Sequence, residues 1–188
     1  MADSTSNRQE QLFLAGCAKE QVQDHFSTTV LNPVKESRYR ESTNKSVTGR
    51  RPIWGVEDGT VLRSTWEQVR PEDWILFYTG DNPIRVSRSG MLEYAAKVVT
   101  TEKNRELQSQ LWEQYEGSGG LSGEDRGPWP LILYLEDLIN IEVHHHELRD
   151  IADFSENWNP QRFSTYSGET KIRRQHGSIS DFVEARAI

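Results

Sequence analysis

Three consecutive histidines, His144-His145-His146, suggest metal chemistry first, because imidazole nitrogens bind transition metals. Glu142 and Glu147 flank the triplet. Successive residues of a strand or a helix point in different directions, so we expect that the three rings do not converge on one ion. We therefore interpret the triplet as a surface feature and expect no metal and no cofactor.

An acidic pattern in the C-terminal quarter has the composition of a magnesium-dependent nuclease centre. Glu169-Thr170-Lys171 follows Asp150 and Asp153, and such centres cluster carboxylates around magnesium at the end of a strand. The segment is polar and helix-like, which argues against that centre. Cys17 has no evident base partner, and no Gly-rich phosphate loop or nucleophile elbow occurs. We expect a protein without catalytic residues.

Tryptophan is the residue type that the composition emphasises, with six in 188 residues. Indole rings bury a large apolar area and offer flat faces on which another ring can stack. Stacking on a nucleobase contributes roughly 1 to 3 kcal/mol per base. Binding by stacking is therefore the activity that the composition favours.

The charge balance limits how the chain could bind nucleic acid. Its formal net charge is −7, with 29 acidic and 22 basic residues, which is the wrong sign for non-specific coating of a polyanion. Between Lys35 and Arg51 the balance reverses, with six basic residues and two acidic ones. Lys171, Arg173 and Arg174 form a second basic cluster. Each cluster is either a solvated face or a local contact for phosphates.

Length and hydropathy indicate one domain that is not embedded in a membrane. The chain is of ordinary size for a single core, and its mean hydropathy is −0.75. The sequence has neither the apolar run of a signal peptide nor the roughly 18 to 20 apolar residues that span a bilayer. We expect a cytoplasmic protein with a flexible N-terminus over residues 1–10, a single domain over residues 11–188, and no membrane partner.

The apolar pattern predicts an α+β fold. Short strands alternate with helices, and the number of strands indicates a curled or closed sheet. The predicted elements are a strand at 12–14, a helix at 18–31, a long exposed loop at 35–50, strands at 52–56 and 74–78 around a short helix, a long strand at 92–99, a helix capped by Asn104, a buried strand at 131–135 and two helices that meet at Gly177-Ser178.

The order of short motifs resembles the EVE domain family, whose relatives are the YTH and PUA domains, from Leu12 to Glu184. The motifs, in chain order, are Asn32-Pro33-Val34, Trp54-Gly55-Val56, the strand Asp73 to Tyr78, Leu111-Trp112, Pro128-Trp129-Pro130 before an apolar strand, and Gly177-Ser178-Ile179. The resemblance implies a PUA-like fold of the EVE/YTH type, a curled or barrel-like mixed β-sheet flanked by helices.

Similarity to this family also implies a function. Such domains flip a modified base out of nucleic acid and enclose it in an aromatic cage. By position, Trp54, Trp112 and Trp129 correspond to the cage. Trp66 and Trp74 follow apolar periods and are expected in the core.

Other predicted pocket residues lie around the cage. Strand neighbours face opposite sides, so only one of Phe77 and Tyr78 can line the pocket; we favour Tyr78, whose hydroxyl can bond a base edge. YTH domains have a polar side chain after the first cage Trp, whereas this chain has Gly55. Base-edge contacts are therefore expected from backbone amides, or from Asn32 and Ser64.

The predicted ligand is nucleic acid with a methylated or hydroxymethylated base, and DNA is favoured over RNA. Arg38, Arg50 and Arg51 are the predicted backbone contacts. The resemblance implies the specificity module of a modification-dependent restriction system, with any nuclease or motor in a partner or a further domain. An RNA-binding module and a catalytic domain for a nucleotide-like ligand remain alternatives.

Overall fold

The computed structural model describes residues 8–17, 20–79, 90–116, 129–160 and 162–188. In this part of the chain the elements are, in order, β1 (Leu12–Gly16), α1 (Glu20–His25), a π-helix (Phe26–Val30), a 3-10 helix (Glu36–Arg38), β2 (Ile53–Val56), α2 (Thr60–Trp66), β3 (Trp74–Tyr78), β4 (Met91–Lys103), α3 (Arg105–Glu116), β5 (Leu131–His144), α4 (His145–Ala152), β6 (Ser164–Thr165), α5 (Glu169–His176) and α6 (Ile179–Glu184).

The strands form one mixed sheet in the order β2-β5-β4-β3-β1-β6. The β1–β3 pair is parallel and the other pairs are antiparallel. The two longest strands, β4 and β5, pair from Met91 opposite His144 to Lys103 opposite Leu131, with three register shifts along the way. Because bulges bend and twist a sheet, these shifts curl it. The predicted α+β fold with a curled mixed sheet is confirmed.

Both faces of the sheet are covered. Alternation along the strands sends Phe13 and Phe77 into a first core, under α1 and the π-helix, and Leu12 and Tyr78 into a second core, under α4, α5 and α6. β5 is buried on both faces at its start, since Leu131 to Leu135 are all fully buried. This explains the near-continuous apolar run in that part of the sequence.

A third core holds the segment 35–50, which the sequence predicts to be a long exposed loop. Tyr39 and Val47 are buried there against Leu107 and Leu111 of α3 and Tyr134 of β5. The expectation of an exposed loop is therefore wrong for these two side chains. They are isolated apolar residues in a polar segment and show no period that a sequence pattern could reveal.

Hydrogen bonds hold the same segment to the sheet. The Tyr134 hydroxyl lies 2.9 Å from Glu102 Oε2 and from Thr43 Oγ1, and the Asn44 amide donates to Glu102 Oε1 at 2.9 Å. Burial raises the pKa of Glu102, but the hydrogen bonds from Asn44, Thr43 and Tyr134 outweigh burial and the pKa lies below its usual value. The charged carboxylate thus anchors the segment.

Two predicted helix starts have their caps. Asn104 Oδ1 accepts from the Leu107 amide at 2.9 Å, and Ser178 Oγ accepts from the Asp181 amide at 2.9 Å. Gly177, between α5 and α6, has a φ of +95°, where residues with a side chain are strained. The helix that starts after Asn104 and the helix boundary at Gly177-Ser178 are confirmed.

Residues 8–10, at the end of the predicted flexible N-terminus, contact the rest of the described chain. Arg8 forms an ion pair with buried Asp73 at 3.2 Å, and the Glu10 carboxylate accepts two hydrogen bonds from Ser180 at 2.8 Å. Residues 1–7 lie outside the described part of the chain. The predicted boundary between a flexible N-terminus and a single domain stays a prediction.

We predict that Tyr134→Phe lowers the free energy of unfolding by about 1 kcal/mol, because it removes one buried hydrogen bond. The loss should concentrate in the segment 35–50, so the Asn44 amide should exchange faster with solvent, as measured by hydrogen exchange. Tyr166→Phe is the matched control, since its hydroxyl donates to the Leu148 carbonyl at 2.7 Å in another core. Unchanged protection at Asn44 in Tyr134→Phe would contradict the anchoring role.

Candidate functional site

Five rings on one side of the sheet form a cluster, here called the aromatic box: His25, Phe26, Trp54, Phe77 and Trp129. The His25 ring centroid lies 5.1 Å from that of Trp54 and 5.1 Å from that of Trp129. Phe77 meets Trp54 edge-on at 5.5 Å, and Phe26 lies 4.8 Å from Phe77. These are ordinary distances for interacting aromatic rings.

The sheet brings these residues together from distant positions in the chain. Antiparallel pairing of β2 with β5 sets Val56 opposite Leu131, so Trp129, two residues before Leu131, lies near the end of β2. The Trp54 ring lies on the same side, 6.4 Å from that of Trp129. His25 and Phe26 join where α1 passes into the π-helix. Such π-helical turns occur frequently at functional sites.

The aromatic box is closed. Trp54 is 4% exposed, Trp129 8% and His25 1%. The two indole planes are inclined by 53°, whereas a planar ligand between two rings needs roughly parallel planes about 7 Å apart, twice the contact distance of carbon atoms. The His25 imidazole occupies the position beside both indoles, so a ring-shaped ligand can take that position only if His25 moves.

His25 is neutral in this environment. Thr29 Oγ1 donates to the His25 carbonyl at 3.0 Å and lies 3.2 Å from His25 Nδ1; since the hydroxyl proton is used, we assign the imidazole proton to Nδ1. Burial lowers the pKa of His25 to about 4, and the side chain of Gln108 partly offsets the shift. Above this pH the ring acts as an aromatic and polar group without charge.

Polar atoms with unused hydrogen-bonding capacity lie at the box. Among the described residues, Trp54 Nε1 and both polar atoms of the Gln108 carboxamide are buried and have no hydrogen-bond partner. Gly55 explains how Gln108 reaches this place, because a Cβ at position 55 would lie 2.4 Å from Gln108 Nε2 and 2.9 Å from the Trp129 carbonyl oxygen. Since buried polar groups nearly always have partners, these atoms indicate a site for a polar ligand or water.

Three of the predicted pocket residues come together here, namely Trp54, Gly55 and Trp129. The backbone of Trp112 lies in α3, four residues after Gln108, and its side chain lies outside what the structure describes. The role of Trp112 in a cage therefore stays a prediction.

Phe77 contacts Trp54, and Tyr78 lies in the second core on the opposite face of the sheet, 5.8 Å from His145. Tyr78 therefore does not line the aromatic box, and its predicted contact with a base stays a prediction. The alternation rule correctly separates the two neighbours. It does not show which of them faces the tryptophans, because both have buried apolar surroundings.

The other predicted contacts are dispersed. Asn32 donates from Nδ2 to the Ser27 carbonyl at 2.7 Å and closes the π-helix, and Ser64 is exposed on α2. Arg38 and Arg50 are exposed, whereas Arg51 forms an ion pair with Glu136 at 2.8 Å. The ligand contacts predicted for these residues stay predictions. Arg51 already has an acidic partner within the fold.

His25 and Gln108 are not among the site residues predicted from the sequence. His25 sits in a helix whose apolar period indicates only core packing, and Gln108 follows Leu107, so both are inconspicuous in the sequence. Gly55 carries the one signal that could have pointed to them. A glycine inside a strand marks the close approach of another group.

The histidine triplet does not have the geometry that we predicted from the sequence. The rings converge, and one nitrogen from each of His144, His145 and His146 can lie within 4.8 Å of the others. Our geometric reason is wrong because β5 ends at His144 and α4 begins at His145, so the chain does not keep one regular geometry across the triplet. The positive end of α4 and nearby Arg149, which contributes to lowering the pKa of His146, both oppose a cation there.

The acidic pattern around Glu169 has a structural role. Glu169 Oε1 accepts from the Leu12 amide at 2.6 Å and Oε2 pairs with Arg173 at 3.1 Å, which ties α5 to β1. Burial raises the pKa of Glu169 despite these bonds. Lys171 contacts Asp153 at the surface. Each of these carboxylates thus has a partner within the fold.

A cleft of about 220 Å³ lies elsewhere, over β4 and β5. Two carboxylates, Glu93 and Glu142, line it together with Met91, Tyr94, Asn140, Ile141 and Ile188. Two acidic groups make this cleft unsuited to phosphate. We therefore take the aromatic box as the candidate site.

No protein-family model matches the chain, and no curated protein is significantly similar to it in sequence. Among solved structures, the fold is similar to the N-terminal domain of McrB from Thermococcus gammatolerans, solved bound to m5C DNA. The TM-score is 0.62 at 15% identity, over 88% of this chain and 96% of that one.

Two YTH domains also match over 88% of this chain. The YTH domain of Zygosaccharomyces rouxii MRB1, in complex with N6-methyladenosine RNA, has a TM-score of 0.43 at 12% identity over 86% of its length. The Pho92 YTH domain in complex with m6A has a TM-score of 0.44 at 10% identity over 85% of its length. We base the fold comparison on the McrB domain, whose similarity confirms the predicted curled mixed β-sheet flanked by helices. None of the described helices has the length and hydropathy of a membrane-spanning segment.

We predict that His25 makes the fold sensitive to mild acid. Its pKa is about 4 in the folded chain and about 6.5 in an unfolded one, so the unfolded state binds more protons between these values. The free energy of unfolding should fall as pH drops from 6.5 to 4, by on the order of 3 kcal/mol from this residue. Urea unfolding at several pH values should show a shallower dependence for His25→Gln, and equal dependence in both proteins would contradict the assignment.

Proposed function

We propose that this chain is a non-catalytic module that captures a modified nucleobase, flipped out of DNA, in the aromatic box. One observation carries the proposal: buried indole faces and buried polar atoms without partners occur at the same place. A nucleobase needs both, since its faces stack on aromatic rings and its edge forms hydrogen bonds. In a purely apolar core, buried polar atoms without partners would only lower the stability of the fold.

A modified base suits this box better than an ordinary one. An added methyl group enlarges the apolar surface, so transfer from water to an indole-lined site is more favourable. Stacking contributes roughly 1 to 3 kcal/mol per base, which can offset the few kcal/mol needed to unstack the target. The box therefore offers a physical basis for selecting the modified base.

DNA is the preferred nucleic acid. The McrB domain that shares this fold was solved bound to m5C DNA, which favours the same class of ligand here. Arg38 and Arg50 are exposed, and we expect them to contact phosphates. Because the net charge is −7, contacts with the backbone must be few and local, and binding should weaken only modestly with salt.

The closed box implies that binding includes a conformational change. His25 must leave its place beside the two indoles before a base can stack there. The segment that carries it changes from α-helix to π-helix directly after His25. Opening therefore reduces the apparent affinity by the fraction of molecules that are open.

In the cell, we propose that the chain supplies specificity to a modification-dependent restriction system. The box would recognise the modified site, and cleavage would belong to a partner protein or to another domain. Described carboxylates of the nuclease-like pattern are engaged within the fold, as with Glu169 at the Leu12 amide. This argues for a binding role of the chain itself.

The test is binding of the purified chain to matched oligonucleotides with 5-methylcytosine, 5-hydroxymethylcytosine, N6-methyladenine or no modification, as DNA and as RNA, at one salt concentration. We expect at least a tenfold preference, about 1.4 kcal/mol, for one modified base in DNA. Trp129→Leu should reduce this preference at least tenfold, because it removes a stacking face.

Trp158→Leu is the matched control. Trp158 stacks on Phe154 at 4.5 Å in the second core and should not affect the preference. Circular dichroism and thermal melting would verify that both variants fold. Equal binding to all oligonucleotides by the wild type would refute the proposed function. A preference for modified RNA would show that RNA, and not DNA, is the ligand.

A further inference from the structure

The carboxamide of Gln108 is the most unusual polar group in the described part of the chain. Gln108 is 0% exposed, and neither Nε2 nor Oε1 has a hydrogen-bond partner among the described residues. A buried amide without partners lowers the stability of the fold. A methionine would fill nearly the same volume without that cost, so the fold alone does not explain a glutamine here.

The position of Gln108 is set by its helix. The Asn104 cap starts α3 by accepting from the Leu107 amide, and Leu107 and Leu111 pack into the third core. This orientation carries the neighbouring Gln108 side chain toward β2. There Gly55 leaves space for it, since a Cβ at position 55 would lie 2.4 Å from Nε2 and 3.1 Å from Cδ of Gln108.

The carboxamide lies at the edge of the aromatic box. The carboxamide interacts with the His25 imidazole and raises its pKa, although the two side chains do not reach hydrogen-bonding geometry. The same Gly55 Cβ would lie 2.9 Å from the carbonyl oxygen of Trp129. Of the Gln108 atoms, Nε2 lies nearest to the position of a Cβ on Gly55. The carboxamide is therefore assigned with its Nε2 toward β2. The acceptor Oε1 lies farther from that strand.

We propose that Gln108 is the residue that reads the edge of the captured base, and that it selects bases with an exocyclic amino group, modified cytosine or adenine. This inference rests on the proposed function. In these bases the amino group donates and the adjacent ring nitrogen accepts, which matches a carboxamide in two hydrogen bonds. A uracil or thymine derivative presents a carbonyl oxygen and a ring N–H at these positions, so the carboxamide would have to flip to pair with it. The flip would turn Oε1 toward β2, where the Trp129 carbonyl oxygen lies near the same Gly55 position and would repel it.

The proposal predicts that affinity and stability change in opposite directions. Gln108→Met removes the hydrogen bonds to the base while keeping the side-chain volume. We expect at least a tenfold loss of affinity for the preferred modified DNA. The melting temperature of the ligand-free chain should rise or stay unchanged, because the variant no longer buries an amide without partners.

Gln110→Met is the matched control on the same helix. The Gln110 carboxamide accepts from Ser42 Oγ at 3.0 Å, so this variant should lose stability and keep the wild-type preference. The full chain would be titrated with otherwise identical DNA containing 5-methylcytosine, N6-methyladenine or 5-hydroxymethyluracil. The wild type should bind an amino-bearing base at least tenfold more tightly than 5-hydroxymethyluracil.

The outcomes separate the two proposals. A wild type that binds no modified base refutes the proposed function and the inference with it. A wild type that prefers a modified base, together with a Gln108→Met variant that keeps this preference, refutes only the role of Gln108. A lower melting temperature in Gln108→Met would assign Gln108 to the fold, and a wild-type preference for 5-hydroxymethyluracil would overturn the selection of amino-bearing bases.

Discussion

The pairing of β4 with β5 is the constraint on which the rest of the molecule depends. β5 runs for 14 residues and takes part in all three cores, through Leu133 in the first, Val143 in the second and Tyr134 in the third. Its pairing with β2 also brings Trp54 near Trp129. The register shifts along this pair bend the sheet. The aromatic box is therefore a product of strand register, and a slip of one residue in β2 would turn Trp54 away from it.

At the box, the fold keeps groups that a core optimised for stability would replace. Trp54 Nε1 and the Gln108 carboxamide are buried without described partners, and His25 is buried in neutral form beside them. Low local polarity makes such groups costly when unpaired and effective when a ligand pairs them. Departures of this kind from the rules of stable packing are expected at functional sites. The closed arrangement keeps both indoles buried away from water.

Sequence patterns predicted the architecture better than the site. Strand punctuation and the buried run at 131–135 report apolar surface, which decides which segments form the sheet. The same patterns could not choose between Phe77 and Tyr78, since both sides of β3 are buried. They also could not detect Gln108, whose neighbours come from other elements. The convergence of the three histidine rings was not predicted, because the alternation rule applies within one element. The triplet spans the junction of β5 and α4.

The anchored segment 35–50 gives the molecule an electrostatic orientation. Its exposed basic residues, such as Arg38 and Arg50, sit on a scaffold fixed by Tyr39 and by the Glu102 hydrogen bonds, while the chain as a whole is acidic. A polyanion is therefore attracted locally by this segment and repelled by the net charge of the chain as a whole. Such an asymmetric field selects the approach angle before contact and suppresses unproductive encounters. Because the segment is already ordered, this orientation costs little conformational entropy upon association.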